Sequence, residues 1–179
     1  MMAHRVFLSA SAPRKVPKAA RGAPRWPRVA VLLGDPRLPD IVKRQARFNP
    51  EDMDTIDRLK TVVRELDKYA FSYLDDHAVL HRALEERRPE FVLNLCDEGL
   101  RNDAFMELHV PAMLESIGIP YTGAGPACLA VCYNKSMVRS VAQALDVPVP
   151  LETFYDPADQ SATLPSVFPA LAKPNQGDS

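Results

Sequence analysis

No uninterrupted apolar stretch in this sequence approaches the ~20 residues that a membrane-spanning helix requires, which excludes such a helix within it. Cysteine is scarce. The three that occur are odd in number and scattered, which argues against a disulfide framework and suits a reducing compartment such as the cytoplasm. An excess of one charge is also missing: 22 basic against 23 acidic side chains give a net charge of −1, so no nucleic acid or membrane partner is expected. The first strand-like run is followed by Leu33-Gly34-Asp35-Pro36, without a Gly-x-Gly-x-x-Gly, which disfavours a Rossmann-like dinucleotide enzyme. His77 and His81 share helical spacing but lack the glutamate of a helical metalloprotease motif, and they are expected on a solvated face. There are no internal repeats. Glycine is sparse, seven residues against 17 prolines, and many of the prolines fall near the two ends.

What is present reads as a globular protein. The hydrophobic share is 46% and the charged share 25%, both ordinary for a soluble fold. A chain of 179 residues is long enough for one sizeable core and the opening of a second domain. Residues 1–27 stand apart as a basic tail, carrying Arg5, Arg14, Lys15, Lys18, Arg21 and Arg25. No acidic residue occurs before Asp35, and no hydrophobic period runs through the tail, so disorder is expected there.

Residues 28–123 alternate strand and helix signals. Arg28 to Gly34 is a short β-branched run ending at glycine, as a buried central strand does. Asn49-Pro50-Glu51-Asp52 is a helix start, with a side-chain cap, proline in the first turn and acids at the positive end of the dipole. Met53, Ile56, Leu59, Val63 and Leu66 follow on one face. Tyr69–Leu74 is a second strand, and Asp75 or Asp76 is placed to cap a helix through Val79, Leu80, Ala83 and Leu84. Phe91–Leu95 is a third strand, expected to be the most buried. Residues 104–117 are helical by pattern, with Pro111 forcing a late start or a kink. Ile119–Thr122 is a fourth short strand. The whole predicts an α/β domain with a small parallel sheet covered on both faces.

Residues 124–179 begin a second unit after the glycine hinge. Pro126 opens a helix, and residues 134–146 form another, with Met137, Val138, Val141, Ala142 and Leu145 spaced by three and four. Val147-Pro148-Val149-Pro150 is extended, residues 152–155 and 168–173 read as strands, and residues 156–166 read as a loop. Two strands and one helix cannot close a core, so the expectation is a truncated domain.

The stretch Gly118-Ile119-Pro120-Tyr121-Thr122-Gly123-Ala124-Gly125 leads to Lys135 on a helix. Val147-Pro148-Val149-Pro150 and then Ala170-Leu171-Ala172-Lys173-Pro174 follow, with a Gly/Ser loop after them. Each piece is common; the ordered set resembles the D-alanine–D-alanine ligase branch of the ATP-grasp family. That resemblance covers most of residues 28–179. It implies a Rossmann-like pre-ATP-grasp sheet domain followed by the start of an ATP-grasp α+β domain. It also implies that Lys135 and Lys173 contact ATP phosphates and that the loop with Gly177 and Ser179 closes over them. The implied activity is ATP-dependent joining of a carboxylate to an amine through an acyl phosphate. Its partners would be ATP, Mg²⁺ and an amino acid or similar carboxylate and amine, and a homodimer is left open. The family's Mg²⁺ ligands lie near the far end of the ATP-grasp fold, so none is assigned in this sequence.

The segment Asn94-Leu95-Cys96-Asp97-Glu98-Gly99, with Arg101, Asn102 and Asp103, is dense in polar groups at the binding edge of the expected sheet. The family usually carries a His-Gly start and a Gly-Glu-Asp-Gly continuation there, and an aspartate where Asn134 stands. These departures leave ATP use intact and separate it from the identity of the amino acid. Glu98 and Arg101 are the candidate substrate-side residues, for the amine and carboxylate of an amino acid; loop capping and hinge salt bridges are the competing role. A lysine such as Lys135, taken alone, is more often a solvated helix residue. Cys96 reads as a small packed residue, and Cys128 with Cys132 as core rather than metal ligands. The rival function is a non-catalytic nucleotide- or partner-binding α/β domain.

Overall fold

A computed structural model of the chain describes residues 27–155, Ala158 and residues 167–176. The basic tail before residue 27, most of the loop at 156–166, and both Gly177 and Ser179 lie outside the described residues.

Three strands form one parallel sheet: β1 (Arg28–Leu32), β2 (Ala70–Leu74) and β3 (Phe91–Asn94), in the order β2-β1-β3. Val31 aligns with Tyr73 on one side and with Leu93 on the other. Alternation along β1 then sends its residues to two separate cores. Ala30 and Leu32 pack with Leu74, Leu80, Leu84, Val92, Val110 and Leu114. Val31 and Leu33 pack with Val63, backed by Ile56 and Leu59. The helices supplying those cores are α1 (Pro50–Arg64) on one face and α2 (Leu80–Arg87) with α3 (His109–Ile117) on the other. The α/β architecture expected from the sequence is the one that forms.

The helix boundaries follow local chemistry. Asn49 caps α1 by accepting from the N–H groups of Glu51 and Asp52, while the Asp52 side chain accepts from the Asn49 N–H, a reciprocal box. α2 begins later than its expected aspartate cap. Asp76 instead closes a turn onto the Ala78 N–H, and Leu80 opens the helix. Pro111 has the expected effect of a late start: 3₁₀ turns occupy residues 100–106, and α3 begins at His109, placing the proline in its first turn.

Two expectations about the sheet change. The most buried strand is β1, four of whose five residues are buried, because it lies between the other two; β3 has one buried residue. The fourth strand reduces to a single parallel bridge between Val92 and Tyr121, with Thr122 N–H donating to the Val92 carbonyl at 3.0 Å. Pro120 has no N–H to extend the ladder.

Beyond Ile119 no described residue is buried. α4 (Pro126–Cys132) and α5 (Lys135–Ala144) follow the hinge, and residues 152–155 and 168–173, both expected as strands, form none among the described residues. A strand exists only by pairing, and neither segment has a partner ladder here. Met137, Val138, Val141 and Leu145, the apolar face of α5, stay exposed, as do Leu151, Phe154, Phe168 and Leu171. Limited proteolysis of this 179-residue chain is therefore expected to cut beyond Pro148 and to leave the region from β1 to Thr122 intact. Fragment masses showing equal protection to the end of the described residues would contradict this.

Candidate functional site

The loops at the carboxyl ends of the three strands meet around Asp35. Its side chain is only 3% exposed. It accepts from the His77 N–H at 2.9 Å, the Arg37 N–H at 3.0 Å and Arg37 Nε at 2.8 Å. The Asp35 backbone is held in turn by Asn102, whose Oδ1 accepts from the Asp35 N–H at 2.9 Å and whose Nδ2 donates to the Asp35 carbonyl at 2.7 Å. Asp35 thus ties the loop after β1 to the loop after β2 through its carboxylate and to the loop after β3 through its backbone. Burial raises the Asp35 pKa, but the donors from His77 and Arg37 and the Arg37 charge outweigh it and hold the carboxyl below the usual aspartate value. Arg37 reaches across to Asp75, bonding both its carbonyl and its carboxylate.

His77 is the second hub. It is 6% exposed, not on the solvated face expected for it; His81 is the exposed one of the two. The His77 Nδ1 accepts from the Arg101 N–H at 2.7 Å, so Nε2 carries the proton and donates to the Leu33 carbonyl at 2.9 Å. Cys96 Sγ lies 3.8 Å from the same Nε2. Proximity to an imidazole does not make this thiol a nucleophile. Burial, reinforced by the charges of Glu98 and Asp97, pushes the Cys96 thiol far up, and Sγ spends its proton on the Gly99 carbonyl.

Glu98 and Arg101 diverge from this hub. Glu98 Oε1 sits 3.2 Å from Lys43 Nζ, which also reaches Asp52 at 3.5 Å and lies over the Phe48 ring at 4.5 Å. Burial opposes the Lys43 charge, yet Glu98, Asp52 and Asp40 hold its pKa above the ordinary lysine value. Gly34 permits the close approach: a Cβ there would fall 2.6 Å from Glu98 Oε2 and 2.9 Å from the Phe48 ring. Arg101 instead has its backbone at φ 62°, a left-handed conformation that costs a non-glycine residue energy. It lines an open cavity of about 460 Å³ with His77, His81, Arg82, Leu100 and Met113. The next residue, Asn102, is left-handed too, at φ 56°.

Burial raises the Glu98 pKa to about 7, the neighbouring Asp97 adds to the effect, and Lys43 offsets only part of it. The folded state therefore binds this proton more tightly than an unfolded glutamate near 4.5 does. Its stabilising contribution is complete below about 4.5 and is lost as pH rises through about 7. Glu98→Gln is expected to flatten the stability profile across that window, which denaturation midpoints will show. An unchanged slope would assign the titration to another group.

The lysine region lies at the start of α5. Lys135 is the first residue of that helix, and Asn134 is its cap, accepting from the Met137 N–H at 3.0 Å. Asn175 docks on this turn. Its carbonyl accepts from the Lys135 N–H at 2.9 Å, its Oδ1 accepts from the Ser136 N–H at 3.0 Å, and its Nδ2 donates to Asn134 Oδ1 at 3.2 Å. Asn134 and Gln176 form an antiparallel bridge. Lys173 lies just upstream of Asn175 on this exposed segment, which is not the strand end expected for it. A smaller cavity of about 250 Å³ opens beside this junction, lined by Phe105, Leu108, Leu129, Tyr133 and Met137.

Sequence reasoning missed His77 and Lys43. His77 had a usable signal, since it follows β2 as Asp35 follows β1 and Cys96 follows β3. Lys43 had none, because its segment shows no period and its partners are distant in the chain. Among the described residues, no group of three or more His, Cys, Asp or Glu side chains is placed to hold a metal ion, and no helix is long and apolar enough to cross a membrane.

No family model matches the chain. The D-alanine–D-alanine ligase of Oleidesulfovibrio alaskensis is 37% identical over 86 residues, which cover 42% of this chain and 28% of that protein. An uncharacterized protein, y4sG, of Sinorhizobium fredii is 33% identical over 92 residues, 51% of this chain and 26% of that protein. The crystal structure of D-alanine–D-alanine ligase from Bacillus anthracis complexed with ATP shares the fold, with a TM-score of 0.50 and 18% identity over 75% of this chain and 42% of that one. These matches show a ligase-like, ATP-grasp relationship. The chain spans about a quarter of the length of the curated relatives it matches.

Proposed function

We propose that the whole protein is an ATP-dependent carboxylate–amine ligase, to which this chain contributes the sheet domain and the opening of the nucleotide site. At that opening, the docking of Asn175 on Lys135 and Ser136 carries the reading. It holds Asn175, two residues after Lys173, against the first turn of α5, which brings the chain segments of the two lysines together at a helix amino terminus. Such a terminus, with lysines as point charges beside it, suits a polyphosphate.

In the reaction proposed, a carboxylate oxygen attacks the γ-phosphorus of ATP and ADP leaves. An amine nitrogen then attacks the acyl carbon of the acyl phosphate, inorganic phosphate departs and the nitrogen loses a proton. Positioning and neutralisation of developing charge are the protein's main tasks in phosphoryl transfer. Lys135 and Lys173 supply charge, and Gly177 and Ser179 belong to the loop proposed to cover it. On the sheet side, Arg101 is assigned to the substrate carboxylate, from the cavity it lines. Glu98, titrating near 7, is assigned to the amine and its proton. Mg²⁺ accompanies ATP in this reading, and no described residue is given a role in holding it. The reading places the protein in the cytoplasm.

The test is phosphate release from ATP by the whole protein across a panel of D- and L-amino acids. Release that requires both ATP and an amino acid is expected, with D-alanine one member of the panel among several. ATP binding without phosphate release for any of them would favour a non-catalytic nucleotide-binding domain.

A further inference from the structure

Cys128 and Cys132 were expected in a core, and both are exposed. They stand four apart on α4, with Sγ atoms 3.8 Å from one another. We propose that they form a surface dithiol site for a soft, thiophilic divalent cation of the zinc or cadmium type.

Two chemistries are open to such a pair, and helix geometry separates them. A disulfide needs its Cβ atoms about 3.5–4.5 Å apart, whereas Cβ atoms four apart on a helix are about 5–6 Å apart. Oxidation would therefore require α4 to unwind. Chelation requires no such change. Two zinc–sulfur bonds of about 2.3 Å meeting at the tetrahedral angle span about 3.75 Å, close to the separation already present. The ion would replace the two thiol protons, one of which now lies between the sulfurs, and leave the helix as it is.

The remaining coordination positions face solvent and would be taken by water. The site is thus an exchangeable one, unlike a closed four-ligand structural site. Deprotonation sets its strength. Binding releases both protons, and affinity should rise up to about 100-fold per pH unit while both thiols are protonated. Cys96, the remaining cysteine, is buried and serves as an internal control.

The experiment titrates the reduced protein with Cd²⁺, following the ultraviolet sulfur-to-metal charge-transfer absorption, and measures alkylation of the thiols with and without Zn²⁺. One equivalent of Cd²⁺ per chain is expected, with Zn²⁺ slowing alkylation of Cys128 and Cys132 together. Cys128→Ser and Cys132→Ser should each abolish the absorption with unchanged thermal melts, since both positions are exposed. Absorption that survives either substitution, or alkylation that Zn²⁺ does not slow, would overturn the site. A loss of two hydrogens by mass in a glutathione redox buffer would overturn the preference for chelation over oxidation.

Discussion

Replacing Asp35 by alanine is expected to destabilise the protein by about 3 kcal/mol, a fall in melting temperature on the order of 10–20 °C for a domain of this size. The loss does not come mainly from its ion pair. Arg37 is 53% exposed on its side chain, so solvent screens that contact to the level of a surface bridge, about 1 kcal/mol or less. The larger part comes from the N–H groups of His77 and Arg37, which point at a carboxylate that the alanine removes. A buried donor left without an acceptor costs about 1–3 kcal/mol. The His77 N–H is the more buried of the two, and the turn it anchors also positions the imidazole between the Leu33 carbonyl and the Arg101 N–H. Arg37→Ala is the control and should cost under about 1 kcal/mol. The pH dependence has a definite sign as well. Because the folded state lowers the Asp35 pKa, its contribution is present above an unfolded value of 3.8 and is lost as pH falls through the lower folded value. Equal losses for the two variants in chemical denaturation would show that the salt bridge, not the buried donors, holds the strand-end loops.

The same loops show what a linear reading captures. β1 was legible because both of its faces are buried, so its residues form an unbroken apolar run with no alternation to misjudge. The start of α1 was legible because its cap, proline and acids lie within four consecutive residues. Pro111 was legible because proline acts locally. Each of these signals is settled by neighbours in sequence. His77 was not, since its burial depends on Leu33, Asp35 and Arg101, which reach it from three different loops. Spacing to His81 suggested a shared face, yet His77 precedes α2 and is not on the helix. The pairing of Lys43 with Glu98 is invisible for the same reason.

The segments at 152–155 and 168–173 failed in another way. Their composition suits strands, but β-structure is a property of pairs, and among the described residues neither segment pairs with a strand. Cys128 and Cys132 failed because the periodicity of α4 was taken to face a core, while its cysteine side is exposed. In the candidate site, the lysines, Glu98 and Arg101 were named from order and residue type alone. Their surroundings came from folding: an ion pair for Glu98, a cavity for Arg101 and a docked asparagine for Lys135.

In the whole protein, Lys135→Ala and Lys173→Ala are each expected to weaken ATP binding by roughly 10- to 150-fold, the effect of losing a charge-assisted contact of about 1.5–3 kcal/mol. Turnover should fall further wherever the lysine meets charge that develops only in the transition state. Stability should hardly change. The bond that docks Asn175 on α5 uses the Lys135 backbone N–H, which alanine retains, and Lys173 lies on an exposed segment. Neither lysine is buried, and substitutions away from a core usually stay within about 0.5 kcal/mol, so thermal melts separate a binding defect from unfolding. The double variant carries the sharper information. If the two ammonium groups act on one polyphosphate, their losses are coupled and the combined effect departs from the sum. Asn175→Ala supplies a variant without loss of charge. It removes the side-chain bonds to Ser136 and Asn134 that hold the Lys173 segment against the helix, and it should weaken ATP less than either lysine change while reducing their coupling. ATP affinity measured by calorimetry for the singles, the double and the asparagine variant decides the matter. Unaltered affinity in both lysine singles would remove the phosphate role from this pair and, with it, the nucleotide site proposed at the start of α5.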